Sequence, residues 1–498
     1  MYRKIRTILA LLFFFLITLL FLDISGALNT WFAWMAKLQF LPAVMAGNFV
    51  IVAAILLLTL LLGRVYCSVI CPLGVMQDGF NFIARKVKKN RFSFVAERKI
   101  VRYSFLVLFV VLVLVGLNGV AVLVAPYSAY GRIATNLLQP VYALCNNLFA
   151  HVAERSGSYA FYERDVWLKS GVSLAVAAIT LLVVGILAMR RGRTWCNTVC
   201  PVGTVLGFVS RFSMLRPSID TDACKNCRKC ERNCKSSCID IEHHHIDYSR
   251  CVACMDCVDE CPFDALHLKN RWKSAPAVTP AEKEEETSGG DSRRKFLVTG
   301  SMIVGSAVLH AQTKKVDGGL AAVTEKKVPT RTVPLKPAGS VSLRNFSSRC
   351  TGCQLCVSEC PNNVLRPSDK LATMLQPEMS FEKGFCRPEC TRCGKVCPAG
   401  AIRPVTPEEK TDIHIGYAVV LRDNCLPYRT GVKCGNCAAH CPTAAISMVH
   451  HPDSQFADVL VPAVNADKCI GCGACEYLCP SRPFSAIYVN GREVHVNG

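Results

Sequence analysis

Apolar residues gather in four long runs in the first half of the chain, at about 7–22, 43–62, 103–125 and 166–189, with polar and basic residues between them. Runs near 20 residues predict membrane-spanning helices. The first is short, but it reaches a full span if it continues through residues 23–27, and Trp31 and Trp34 follow where interfacial aromatics belong. Basic residues set the orientation. Arg3, Lys4 and Arg6 precede the first run, a dense basic stretch from Arg64 to Lys99 joins the second to the third, and Arg190, Arg191 and Arg193 close the fourth. The other two connections carry only Lys37, and Arg132, Arg155 and Arg164. By the positive-inside rule the N-terminus, the second connection and the end of the fourth run are cytoplasmic.

Beyond the fourth run the periodicity ends. A cysteine-rich stretch, 224–261, leads to a polar linker at 274–288. Ser292-Arg293-Arg294-Lys295-Phe296-Leu297 and a mildly apolar run to Ala311 then have the form of a twin-arginine export signal in mid-chain. No strong small-residue cleavage site follows, so this segment is expected to stay attached as a fifth membrane segment. The expected organisation is a membrane anchor at 1–215, a cytoplasmic two-cluster ferredoxin domain at 216–272 and a linker at 273–291. The signal segment follows at 292–312, then a second linker at 313–344 and a periplasmic four-cluster domain at 345–498. The fold class is an α-helical membrane anchor with α+β bacterial-ferredoxin-like domains.

Hydrophobic residues make up 51% of the chain and charged ones 19%, the balance of a part-membrane protein. The net charge of +20 lies beside the apolar runs and in linkers. No basic helix or aromatic strand pattern accompanies it, so nucleic acid is not an expected partner.

The 30 cysteines change the picture most. Cys224, Cys227, Cys230, Cys234 and Cys251, Cys254, Cys257, Cys261 both follow C-x2-C-x2-C-x3-C. In such pairs three close thiolates wrap one corner of a [4Fe–4S] cluster and the partner motif supplies the fourth. One cluster is therefore expected on Cys224, Cys227, Cys230 and Cys261, the other on Cys251, Cys254, Cys257 and Cys234. Lys235 stands where proline usually follows, and Cys238 is a spare thiol.

Four further sets occupy the C-terminal region. They are Cys350, Cys353, Cys356, Cys360; Cys386, Cys390, Cys393, Cys397; Cys425, Cys434, Cys437, Cys441; and Cys469, Cys472, Cys475, Cys479. The second and third have stretched first gaps. Their fourth cysteines exchange either between consecutive sets or in a nested order, and spacing does not choose. The six sets imply six [4Fe–4S] clusters, and the absence of CxxCH excludes covalent haem.

A separate repeat ends two of the apolar runs: Gly63-Arg64-Val65-Tyr66-Cys67-Ser68-Val69-Ile70-Cys71-Pro72-Leu73-Gly74, and Gly192-Arg193-Thr194-Trp195-Cys196-Asn197-Thr198-Val199-Cys200-Pro201-Val202-Gly203. Such parallel repeats face each other across an axis along the membrane normal. Cys67, Cys71, Cys196 and Cys200 are then candidates for a shared metal or iron–sulfur centre, for a redox-active thiol pair, or for packing. Cys145, His151 and the triple His243-His244-His245 read as surface residues.

The CxxxCP repeat with the first two ferredoxin motifs resembles the membrane ferredoxin NapH of periplasmic nitrate reduction, a pattern also found in the nitrous oxide reductase regulator and related polyferredoxins. The twin-arginine segment with its four motifs resembles the exported partner NapG and the similar methylamine-utilisation ferredoxin, as if the two were fused. The resemblance implies oxidation of membrane quinol and delivery of electrons to a periplasmic reductase or its electron-carrier subunit, with lipid and the quinone pool as further partners. It identifies no catalytic residue. The alternative function is a redox-sensing regulatory or maturation factor for a respiratory enzyme.

Overall fold

The computed structural model describes residues 2–22, 28–88, 92–158, 161–164, 166–271, 324–452 and 458–498. The twin-arginine segment and both expected linkers around it lie outside the described residues, apart from 324–344.

Helices α1 (Tyr2–Leu22) and α2 (Phe49–Leu62) begin the bundle. They are followed by α3 (Pro72–Lys88), α4 (Lys99–Leu114), α5 (Pro126–Ile133) and α6 (Gln139–Arg155), then by α7 (Gly171–Arg191) and α8 (Pro201–Ser210). Among the described residues two helices, α1 and α7, are long and apolar enough to cross a membrane. Each has 21 residues, about 31 Å at the α-helical rise. Of the four spans expected from the runs, the second and third are carried by shorter helices. Gly47 enters the left-handed region and the Asn48 side chain accepts from the Ile51 N–H at 3.2 Å, so the second run breaks and α2 keeps 14 residues. The third run stops before Gly116, at φ +87°, leaving 16 residues in α4. Outward-facing Leu12, Phe15, Leu57, Val107, Ile179 and Leu182 form an exposed apolar belt around the bundle.

The bundle has two occupied ends. At the end formed by the start of α1 and the close of α7 sits a small domain framed by β1 (Leu215–Ile219) and β4 (Leu266–Asn270), antiparallel from Leu215↔Asn270 to Ile219↔Leu266. Inside that frame lies the short hairpin β2 (Ile239–Asp240) and β3 (His245–Ile246). The opposite end, where α7 starts, carries the region from 324 onward. It holds three two-stranded sheets: β5 (Leu365–Pro367) with β6 (Pro377–Met379), β7 (Ile413–Val420) with β10 (Ile487–Asn497), and β8 (Ile446–His450) with β9 (Leu460–Val464). The same helices touch both domains. Arg3 at the start of α1 pairs with Asp256, and the Arg193 N–H beyond α7 donates to the Lys235 carbonyl. Ser170, which caps the start of α7, donates instead to Asp369. The two domains are held a helix length apart.

Candidate functional site

The strict motifs fold alike. In each of four loops the residues two and four positions after the first cysteine take positive φ: Asn226 and Arg228, Ala253 and Met255, Gly352 and Gln354, Gly471 and Gly473. Alternating left-handed residues turn successive backbone N–H groups inward, the arrangement that cradles an anionic group. Five of these eight residues, Asn226, Arg228, Ala253, Met255 and Gln354, carry side chains in a region that costs them energy, so the surrounding fold must hold them there.

Around these loops the thiols gather into sets of four. In the first domain one cavity is lined by Cys224, Cys227, Cys230 and Cys261, and another by Cys234, Cys251, Cys254 and Cys257. In the second, Cys350, Cys353, Cys356 and Cys397 line one, and Cys425, Cys434, Cys437 and Cys479 another. The remaining thiols form two more neighbourhoods, Cys360 with Cys386, Cys390 and Cys393, and Cys441 with Cys469, Cys472 and Cys475. Fourth cysteines thus exchange between consecutive sets, and the nested order is excluded. The Cys386 N–H also donates to the Cys472 carbonyl at 3.0 Å, joining the two halves of the second domain.

The chemistry of these sets fits a cluster. Burial, reinforced by neighbouring thiols, pushes Cys353 up to about 11 and Cys472 up to about 12. Four thiolates can coexist there only around cationic iron, which lowers the cost of each ionisation. Among the described residues no three Cys, His, Asp or Glu side chains converge as a single metal ion requires. Such an ion would hold thiolates at about 2.3 Å. The thiols surround a volume rather than a point.

The CxxxCP repeat builds a different site. Cys67 lies on a wide helical turn, Tyr66–Ile70, and Cys196 on the short helix Thr194–Thr198; Cys71 and Cys200 precede α3 and α8, which both start with proline. All four thiols are buried, and Cys71 and Cys200 each lie within electrostatic reach of Cys67 and Cys196. The repeats interlock through their arginines. Arg193 donates to the Cys67 carbonyl at 2.5 Å and Arg64 to the Cys196 carbonyl at 3.4 Å. Gly74 and Gly203 make this possible, because a Cβ at either would lie 2.3 or 2.0 Å from the carbonyl of Cys67 or Cys196. The sulfurs receive hydrogen bonds from the Gly203 N–H to Cys200 (3.3 Å) and from Gln77 to Cys196 (3.2 Å).

Charge balance points at the same four thiols. Arg193 pairs with Asp78 at 2.7 Å. Arg64 is fully buried, yet among the described residues it pairs with no carboxylate; it donates to the Asn197 amide oxygen (2.8 Å) and the Ser249 carbonyl (3.0 Å), with the Cys67 sulfur 3.9 Å away. An uncompensated buried guanidinium is costly, and an anionic centre on the thiols would neutralise it. Arg132 repeats the pattern at the other end, buried beside Cys353 and bound, among the described residues, to the carbonyls of Val122 and Leu123.

Other sequence expectations resolve simply. His243 is exposed and bound to Asp240, and Cys145 and His151 are exposed. Cys238 is not idle: its sulfur lies 3.6 Å from that of Cys234, against one of the cavities. Lys235 fixes the first domain in place, its Nζ 2.9 Å from Asp78 and 3.2 Å from Asp256. Two contributors went unnoticed in the sequence. Lys410 donates to the Cys386 sulfur at 3.2 Å, within a stretched motif that lacks the inward backbone turn. Gln77 stands where the second repeat has Leu206, an asymmetry visible on aligning the repeats.

Comparison with known proteins agrees with this geometry. A profile described as a 4Fe-4S binding domain matches residues 44–90 and 172–218, the two CxxxCP segments. A 4Fe-4S dicluster domain matches 349–401 and 432–482, and another 4Fe-4S binding domain matches 244–267. No solved structure matches the chain. The methylamine utilization ferredoxin-type protein MauM of Methylobacillus flagellatus is 34% identical over 220 residues, 42% of this chain and 84% of that protein. MauM of Methylorubrum extorquens is 30% identical over 214 residues, 42% and 92% respectively. The ferredoxin-type protein NapG of Escherichia coli is 33% identical over 181 residues, 32% and 75%. With thiol-lined ferredoxin sites in place and such identity across most of these relatives' length, the chain belongs to the ferredoxin-type protein family of MauM and NapG.

Proposed function

We propose that the chain is a membrane-bound carrier of the quinol dehydrogenase type, passing electrons from the quinol pool through [4Fe–4S] clusters to a reductase, or its electron-carrier subunit, outside the cytoplasm. The observation that carries this reading is the placement of ferredoxin-like thiol sets at both ends of one apolar bundle. The six sets would hold six clusters. Cys67, Cys71, Cys196 and Cys200 would hold a further iron–sulfur centre, with Arg64 as its counter-charge. When bound, the clusters supply one-electron chemistry. The protein buries them and directs hydrogen bonds from Gln77, the Gly203 N–H and Lys410 at individual sulfurs, which tunes their potentials.

The basic residues around α1, α3 and α7 support a cytoplasmic first domain, and the twin-arginine segment supports a periplasmic second domain. The membrane would be the bacterial inner membrane, crossed several times, with the domain limits as drawn from the sequence. Anaerobically purified protein should contain about 24 iron and 24 labile sulfide from the six sets, and about four more of each with the CxxxCP centre. A quinol analogue should then elicit the EPR signals of reduced clusters. If dithionite reduces them and no quinol analogue does, the quinol reading fails.

A further inference from the structure

A large cleft borders one of the thiol sets without being enclosed by it. It measures about 1200 Å³, its open mouth included, and lies between α6 and the 166–170 segment, and residues 358–363 of the second domain close its far side. Three features stand out. Its wall includes Cys360, the thiol that completes the set with Cys386, Cys390 and Cys393. Two buried polar atoms in the lining, Thr135 Oγ1 and Trp167 Nε1, have no hydrogen-bond partner among the described residues, and Thr135 is only 1% exposed. The part of the rim that adjoins α6 is apolar, with Leu168 in the lining and Val141 and Leu144 exposed on the helix itself, while Arg164 and Lys169 line the polar part.

Each feature narrows the ligand. A buried hydroxyl and a buried indole N–H without partners are costly, unless a bound group supplies them. The indole only donates, while the hydroxyl both donates and accepts. A molecule with oxygens that accept and hydroxyls that donate answers both. Gln139 and Lys169 hold the polar wall in shape: Lys169 donates to the Gln139 oxygen at 3.0 Å, and Gln139 donates to the Ser358 carbonyl at 3.3 Å. An apolar part of the rim continuous with the outward face of α6 suits a ligand with a long hydrocarbon tail that arrives from lipid. Contact with Cys360 suits one that gives up electrons.

We propose that this cleft binds the head group of a membrane quinol, with Thr135 and Trp167 as its hydrogen-bonding partners and Cys360 marking the receiving cluster. The inference rests on the electron-transfer reading above and locates its substrate at the far end of the bundle. The balance is simple. One quinol loses two electrons, which reduce two iron–sulfur clusters by one electron each. It also releases two protons, which leave through the open mouth to water on that side, and it departs as quinone.

The test uses the full-length, cluster-loaded protein in detergent and a short-chain quinone carrying a photoreactive azide. The label should map to peptides within residues 135–169, and labelling should fall with added unlabelled quinone. Replacing Thr135→Val with Trp167→Phe should weaken binding about tenfold, and Ala143→Trp, which fills the cleft, should abolish it. Iron content and dithionite-reduced EPR spectra of both variants should stay unchanged, which excludes simple cluster loss. Label placed elsewhere, or unchanged affinity in both variants, overturns the proposal. If the bound analogue fails to reduce any cluster, the electron-transfer reading falls while the labelled cleft stands. Reduction at the unaltered rate with the cleft filled removes the cleft and leaves that reading intact.

Discussion

The two ends of the bundle hold their iron–sulfur domains by different chemistry. At the first, the contact is ionic. Asp78 lies at the centre of Arg193, Lys235 and Arg6, at 2.7, 2.9 and 3.4 Å, and Asp256 extends the network to Arg3. At the second, the principal bonds across the contact come from amides and hydroxyls. Asn136 donates to Gln354 and Gln354 to Ser173, both at 2.8 Å; Asn118 reaches the Ser347 carbonyl at 3.0 Å, and Asn29 bonds to Glu359. Close backbone approach completes it, with Gly131 against the Cys353 carbonyl. A buried ion network tolerates no missing partner, because each removal strands a charge. An interface bonded across by neutral amides and hydroxyls, even where Glu359 and Asp369 accept, loses less per bond and can form on a preformed surface. That difference suits a first domain folding together with its helices and a second that docks as a folded unit, as the proposed export would require.

The comparison can be broken at either end. The largest effect is expected from Asp78→Ala, which leaves Arg193 and Lys235 without their anion and should cost about 3–5 kcal/mol. Thermal unfolding should fall accordingly, with loss of the first domain's EPR signals and retention of the second's. Burial alone would raise the Asp78 carboxyl, but Arg193 and Lys235 more than reverse this and hold it well below the usual range. Its contribution is therefore complete above the ordinary carboxylate value and is lost only as pH falls below it. An acid titration followed by proteolysis of the first domain should show release only under strongly acidic conditions.

A smaller effect is expected from Gly131→Val. Its Cβ would meet the Cys353 carbonyl at 2.2 Å and Phe21 at 2.9 Å, and overpacking of this kind costs about 1–3 kcal/mol. Limited proteolysis should detect undocking of the second domain while the first stays protected. Gln354→Ala should cost least, about 1–2 kcal/mol, by leaving Asn136 and Ser173 without a partner. If Gln354→Ala were as damaging as Asp78→Ala, the contrast between the ends would be wrong.

Much of this was legible in the chain, and the gaps have physical causes. Motif spacing is local, so the sets of three thiols could be read directly, as could the CxxxCP repeat. Exchange of fourth cysteines depends on how consecutive modules pack, which identical spacings do not encode. The lengths of the second and third apolar runs were misjudged because hydropathy averages over single stop residues: Gly47 with Asn48, and Gly116. Lys235 was visible only as a departure from proline. Its reason, Asp78, lies 157 positions away in sequence and 2.9 Å away in space.

The central claim is that these two domains occupy opposite faces of one membrane. Intact spheroplasts treated with a membrane-impermeant amine reagent, then analysed by mass spectrometry, test it most directly. Exposed Lys433 and Lys468 of the second domain should be labelled before lysis, and Lys225, Lys229 and Lys269 of the first only after it. Protection of all five until lysis would contradict the account.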